Sequence, residues 1–90
     1  MRVALVCRDK AGAIQIRLDN RAAHLAHIEA SGVVEIAGPL LDEAGQMCGS
    51  LIVLSVDDLA AARAWAAADP YARAGLFDSV AISAWKKVIG

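Results

Sequence analysis

Ninety residues are enough for one domain near the small end of what buries a self-sufficient core. A net charge of −1 and a pI near 6.0, with no basic stripe or tail, exclude the electrostatic footprint of nucleic-acid binding. No apolar run approaches the roughly 20 residues of a membrane span, and "MRVALVCRDK" is too short for a signal peptide.

Cys7 and Cys48 are far apart and form no CxxC, so neither a disulfide framework nor a zinc ribbon is expected, and a reducing cytoplasm fits best. Hydrophobic residues make up 58% of the chain but aromatics only 4%, so the core has to be built from aliphatics and alanine.

In chain order, "RVALVC" (2–7) is rich in valine and leucine and runs into charged residues, which predicts a strand. From Ile14 to about Ala30 the period changes: Ile14, Leu18, Ala22 and Leu25 make one apolar helical stripe, and Ser31-Gly32 ends it. "VVEIAGPL" (33–40) and "SLIVLSV" (50–56) read as strands joined by a polar, glycine-bearing hairpin connection. A second helix starts at an Asp57 or Asp58 N-cap, carries Trp65 as its bulky anchor, and stops before Pro70. "YARAG" is a single turn or short helix, and "LFDSVAISAW" (76–85) alternates as a fourth strand. The order β-α-β-β-α-β predicts an α+β, ferredoxin-like split βαβ fold over residues 1–90 as a single domain, an antiparallel sheet with both helices on one face.

The other sheet face is expected to meet water and be polar. It is not polar. Leu51 and Val53 oppose Ile52, Leu54 and Val56; Ala4 and Val6 oppose Val3, Leu5 and Cys7; Phe77, Ala81 and Trp85 oppose Val80, Ile82 and Ala84. Two apolar faces predict a homodimer with its sheets packed face to face.

Few residues offer chemistry. Arg17, Arg21, His24 and Ile28 line one edge of the first helix, while His27 projects about 100° further round, toward solvent. Two histidines with no third ligand do not predict a metal site, and no nucleotide or cofactor motif is present. Asp69 raises a question, because a helix ending on a carboxylate is disfavoured by its own dipole. Asp69-Pro70 is also a favoured start for a new turn, with Asp as N-cap and Pro at the first helical position. One carboxylate oxygen capping the turn would leave the other for a second partner.

"NRAAHLAHIE", "IAGPLLDEAGQMCGSLIVL", "LAAARAWAAADPYARAGLFDSV" and "AISAWKKVIG" resemble successive signature segments of the YCII-related (YciI-like) family across nearly the whole chain. The most specific elements are R-x-x-H (Arg21 to His24), A-G-P (Ala37 to Pro39) and D-P-[FY]-x-x-A-G (Asp69 to Gly75). "RAAH" stands where R-P-A-H is frequent, a change that leaves the chemistry untouched.

The resemblance implies a dimeric α+β barrel similar to muconolactone isomerase-like and monooxygenase-like proteins. It also implies a His–Asp pair in a pocket of each subunit, falling here on His24 and Asp69. For a few members it implies lyase or dehydrochlorinase chemistry near aromatic degradation. On this reading His24 is the general acid/base, Asp69 orients it, Arg21 holds a substrate carboxylate, and Pro39, Ser50 and Tyr71 wall the pocket for a small organic ligand. The alternative is a noncatalytic ligand-binding or accessory dimerisation module in which the pair is structural.

Overall fold

The computed structural model describes residues 1–90. Its elements are β1 (Arg2–Asp9), α1 (Ile14–Ser31), β2 (Val34–Leu41), β3 (Met47–Ser55), α2 (Leu59–Ala68), α3 (Pro70–Arg73) and β4 (Phe77–Trp85). The strands pair antiparallel in the order β2-β3-β1-β4, which with the helices on one face is the ferredoxin-like arrangement. Strand pairing carries β1 two residues beyond the apolar run, to Asp9, and starts β3 at Met47 rather than Ser50.

Local chemistry sets the helix ends. Asp58 is the N-cap of α2, its Oδ1 accepting from the Ala61 N–H at 2.7 Å. Gly32 closes α1 in the left-handed region at φ 66°. The helices cover Val3, Leu5 and Cys7 of β1 and Ile52 and Leu54 of β3, which pack with Ala62 and Trp65 of α2 into the main core cluster. Ala13, Tyr71 and Leu76 form a smaller cluster beside it.

The face α1 turns inward is not the stripe the sequence predicts. Ile14, Leu18 and Leu25 are 43%, 49% and 43% exposed, whereas Arg17 and His24 are buried. Each inward polar group finds an internal partner, so burying it costs little. His27 also departs from expectation. It is half-buried against α2, its Nε2 lying 3.1 Å from the Trp65 carbonyl and its ring packed on the Trp65 indole. The indole N–H in turn donates to Ser31 Oγ at 2.9 Å, so the end of α1 is latched to α2 by polar contacts.

On the uncovered face Ala4, Val6, Leu51 and Val53 are joined by Ile36 of β2 and Ala81 and Trp85 of β4 through the strand register. Ile36, Leu51 and Trp85 are all well exposed. Phe77 does not join them. A register shift between Arg8 and Asp9 pairs Asp9 with Phe77 and passes over Asp78, turning the Phe77 ring toward the core.

Gly49 lies where β3 crosses close to β1, and a Cβ there would run into the Cys7 carbonyl oxygen and crowd the Leu40 side chain. Gly49→Ala is therefore expected to cost about 1–3 kcal/mol by forcing the strands apart. Denaturant unfolding checks this, and a variant as stable as the parent contradicts it.

Candidate functional site

The break between α2 and α3 builds the centre of the site. Pro70 holds Asp69 in an extended conformation (φ −59°, ψ 125°), so Asp69 ends α2 and at once begins α3. Asp69 Oδ1 accepts from the Tyr71 N–H at 3.0 Å and lies 2.8 Å from His24 Nδ1. One oxygen thus serves both the cap and the imidazole, where the sequence reading divides them between two. The dipole objection disappears because the carboxylate also belongs to the N-terminus of the next turn.

A carboxylate oxygen only accepts, so Nδ1–H of His24 donates, and in the neutral ring Nε2 then carries the lone pair. His24 and Asp69 are 6% and 2% exposed. The Tyr71 ring stacks on the imidazole, with centroids 4.0 Å apart and planes within 15°, and meets Phe77 edge-on. The imidazole therefore has its plane set by stacking and its rotation set by Asp69.

A second polar group stands beside it. Arg17 donates from Nε and Nη2 to the two carboxylate oxygens of Asp9, both at 2.8 Å, in a buried fork. Nη2 also donates to Ser50 Oγ at 3.0 Å, and the guanidinium carbon sits 4.7 Å from the Tyr71 ring centroid. Burial opposes the charge on Arg17, but the hydrogen bonds and charge of Asp9 outweigh it and hold the group above its ordinary value. Burial likewise raises the Tyr71 phenol, with the Arg17 cation offsetting part of the shift, so the phenol keeps its proton at neutral pH. Burial pushes the Cys7 thiol up to about 12, with the Asp69 charge adding to the effect.

These side chains line a cavity of about 200 Å³ between α1 and the sheet. Its polar wall is Arg17, His24, Ser50 and Tyr71. Leu25, Ile28, Ala37, Pro39, Met47 and Ile52 supply apolar surface, and Arg21 stands exposed at the edge. Five of the six predicted site residues therefore meet in one cavity, with Asp69 behind His24. Arg17 and Asp9 are additions. Arg17 lies two helical turns before His24 on the same face, a spacing visible in the sequence, but nothing there marks Asp9 as its partner. No three His, Cys, Asp or Glu side chains gather where they could hold a metal, and no helix is long and apolar enough to cross a membrane.

The model of the YCII-related domain matches residues 1–86. The chain belongs to the YCII-related family. YciI of Escherichia coli O6:H1 is 36% identical, over 98% of this chain and 99% of that one. Among solved structures, this member of the family is similar to the 5-chloro-2-hydroxyhydroquinone dehydrochlorinase TftG of Burkholderia phenoliruptrix, in complex with 2,5-dihydroxybenzoquinone. The TM-score is 0.87 at 29% identity, covering 96% of this chain and 94% of TftG. An antibiotic biosynthesis monooxygenase is 14% identical with a TM-score of 0.59 over 98% of both chains, a likeness of fold alone.

The raised thiol makes a prediction about reactivity. At pH 8 in the folded protein Cys7 should resist iodoacetamide, while half-buried Cys48 is modified first. Peptide mass mapping with and without denaturant reads this, and rapid native labelling of Cys7 contradicts it.

Proposed function

We propose that this protein is an enzyme of acid/base type, a lyase, dehydrochlorinase or isomerase, acting on a small organic molecule that is ring-shaped and derived from an aromatic compound. The observation that carries the proposal is His24. The imidazole is buried and oriented through Nδ1 by Asp69, and it lines a cavity of about 200 Å³. A cavity near 150 Å³ accommodates benzene, so one substituted ring is the appropriate scale.

His24 Nε2 is the base. In an elimination it takes a proton from carbon, the C–H pair becomes the new double bond, and the leaving group departs with its own bond pair. Loss of hydrogen chloride from a chlorinated ring tautomer is one such step and is balanced without an oxidant or reductant. In an isomerisation the same nitrogen returns the proton at another position. Asp69 keeps the tautomer and lowers the cost of the imidazolium. Cys7, protonated at neutral pH, is not the nucleophile of this chemistry. The likeness to TftG supports the dehydrochlorinase form of the proposal.

The working unit is a homodimer through the uncovered sheet face, whose exposed Ile36, Leu51 and Trp85 it would bury. Leu51→Asp is expected to shift the protein from dimer to monomer or aggregate in sedimentation velocity at micromolar concentration. A parent protein that sediments as monomer removes this part of the proposal.

Turnover of a panel of chlorinated hydroxyquinols and lactones tests the chemistry. His24→Ala should lower kcat by about 10²–10⁴-fold. Asp69→Asn, which keeps a capping oxygen but not the charge, should add little to the loss in the double variant. Absence of turnover across the panel, or full activity in His24→Ala, overturns the proposal.

A further inference from the structure

The uncovered face of the sheet is divided by size. Its β2–β3 half carries the large groups Ile36, Leu40, Leu51 and Val53, whereas β4 contributes Ser79, Ala81 and Ser83, with Ala4 beside them on β1. Val6 is the one larger aliphatic of that second half. Trp85 ends β4 at 42% exposure, paired across the strands with Arg2. Arg2 Nε in turn donates to both carboxylate oxygens of Glu35, at 3.0 and 2.9 Å. This ion pair spans the end of β3 at Ser55 and stays partly exposed, with 41% and 33% of the two side chains open.

Charge is divided the same way. β2 and the hairpin after it, residues 34–46, hold Glu35, Asp42 and Glu43 and no base. Lys86 and Lys87 follow Trp85, both exposed, and Arg8 stands exposed on β1 between Gly49 and Ser79. Asp78 is the single acid of β4.

A second copy of the chain answers both divisions. Two packed sheets keep their strands within about 30° of each other, so a two-fold axis between them lies nearly along the strands or nearly across them. Across, β3 meets β3 and β4 meets β4, which sets large on large and leaves small facing small. Along, β2 meets β4 with the same ends together. Ile36 then faces the partner's Ser83, Val53 the partner's Ala4 and Leu51 the partner's Val6. The end rows bring Trp85 onto the partner's Glu35 and Arg2, and carry Lys86 and Lys87 to the acidic edge.

We infer that the two copies pack with their two-fold axis along the strands, and that Trp85 of each seats on the Arg2–Glu35 ion pair of the other. The inference rests on the proposed homodimer and fixes how it is built. A guanidinium held by a carboxylate is a suitable platform for an indole, and tryptophan is a typical anchor of an interface. The arrangement also gives β2 two roles. Ala37 and Pro39 line the His24 cavity while Ile36 and Leu40 turn to the second copy, so the partner's β4 backs one wall of the site.

Sedimentation equilibrium tests this without any substrate. Trp85→Ala should raise the dimer dissociation constant about 10- to 100-fold. Ile36→Lys and Ser83→Glu should each raise it at least about ten-fold, because each sets a charge against an uncharged group. Within one chain the two positions stand on opposite edges of the sheet, but across the two-fold axis they meet twice. The double variant should therefore regain most of the loss. Both positions are exposed, so the substitutions leave the core intact, which far-UV circular dichroism checks. The reversed pair, Ile36→Glu with Ser83→Lys, repeats the test with the signs exchanged. Double variants no tighter than the single ones overturn the axis along the strands and leave the homodimer standing. An unchanged dissociation constant in Trp85→Ala overturns the Trp85 contact. A parent protein that stays monomeric removes the homodimer and this inference together, while the acid/base proposal for His24 keeps its own test.

Discussion

A single carboxylate oxygen, Oδ1 of Asp69, holds the helical layer to its working geometry. It receives the Tyr71 N–H and the His24 Nδ1–H inside the protein, where no water competes for it. The first bond turns the chain from α2 into α3 and brings the Tyr71 ring under the imidazole. The second ties α1, forty-five residues earlier in the chain, to that junction. A donor orphaned at such a depth costs about 1–3 kcal/mol, so the break between the helices and the orientation of His24 are energetically one feature. The carboxylate cannot be altered for one purpose without disturbing the other.

The same economy explains why α1 docks by its polar side. A helix that packs on a sheet through leucines fills the space beneath it. Here Arg17, His24 and His27 reach inward to Asp9, Asp69 and the Trp65 carbonyl, and the apolar residues Ile14, Leu18 and Leu25 are left on the flank. Arg17 and His24, held by these partners, line the cavity that lies between the helix and the sheet. A buried ion pair such as Arg17–Asp9 adds little net stability over an apolar pair of similar shape, but losing one partner typically costs about 3–5 kcal/mol. The pair is thus better understood as a device that fixes the guanidinium than as a source of stability.

The protonation of the neighbouring groups follows from their placement. Depth keeps the Cys7 thiol and the Tyr71 phenol neutral, and the contact with Asp9 keeps Arg17 charged. Apolar side chains from α1, β2 and β3 surround the polar wall, which raises the strength of each electrostatic contact within it.

Element order, the caps at Asp58 and Gly32, the stop at Pro70 and the alternation of β1 and β3 were legible in the chain because each depends on residues a few positions apart. The family motifs likewise singled out His24 and Asp69, and local capping chemistry explained why a carboxylate stands at the end of α2. Tertiary structure decided what local pattern does not encode. The most apolar stripe of α1 lies along its flank because polar partners exist inside, and a partner such as Asp9 is invisible until the sheet brings it under the helix. Phe77 changed faces because a bulge beside Asp78 inverted the alternation. That Asp69 serves two partners through one oxygen, and that Arg17 and Tyr71 meet in the wall of one cavity, depend on where distant segments come to rest. Sequence periodicity reports which side chains share a face; only the packed fold reports what that face meets.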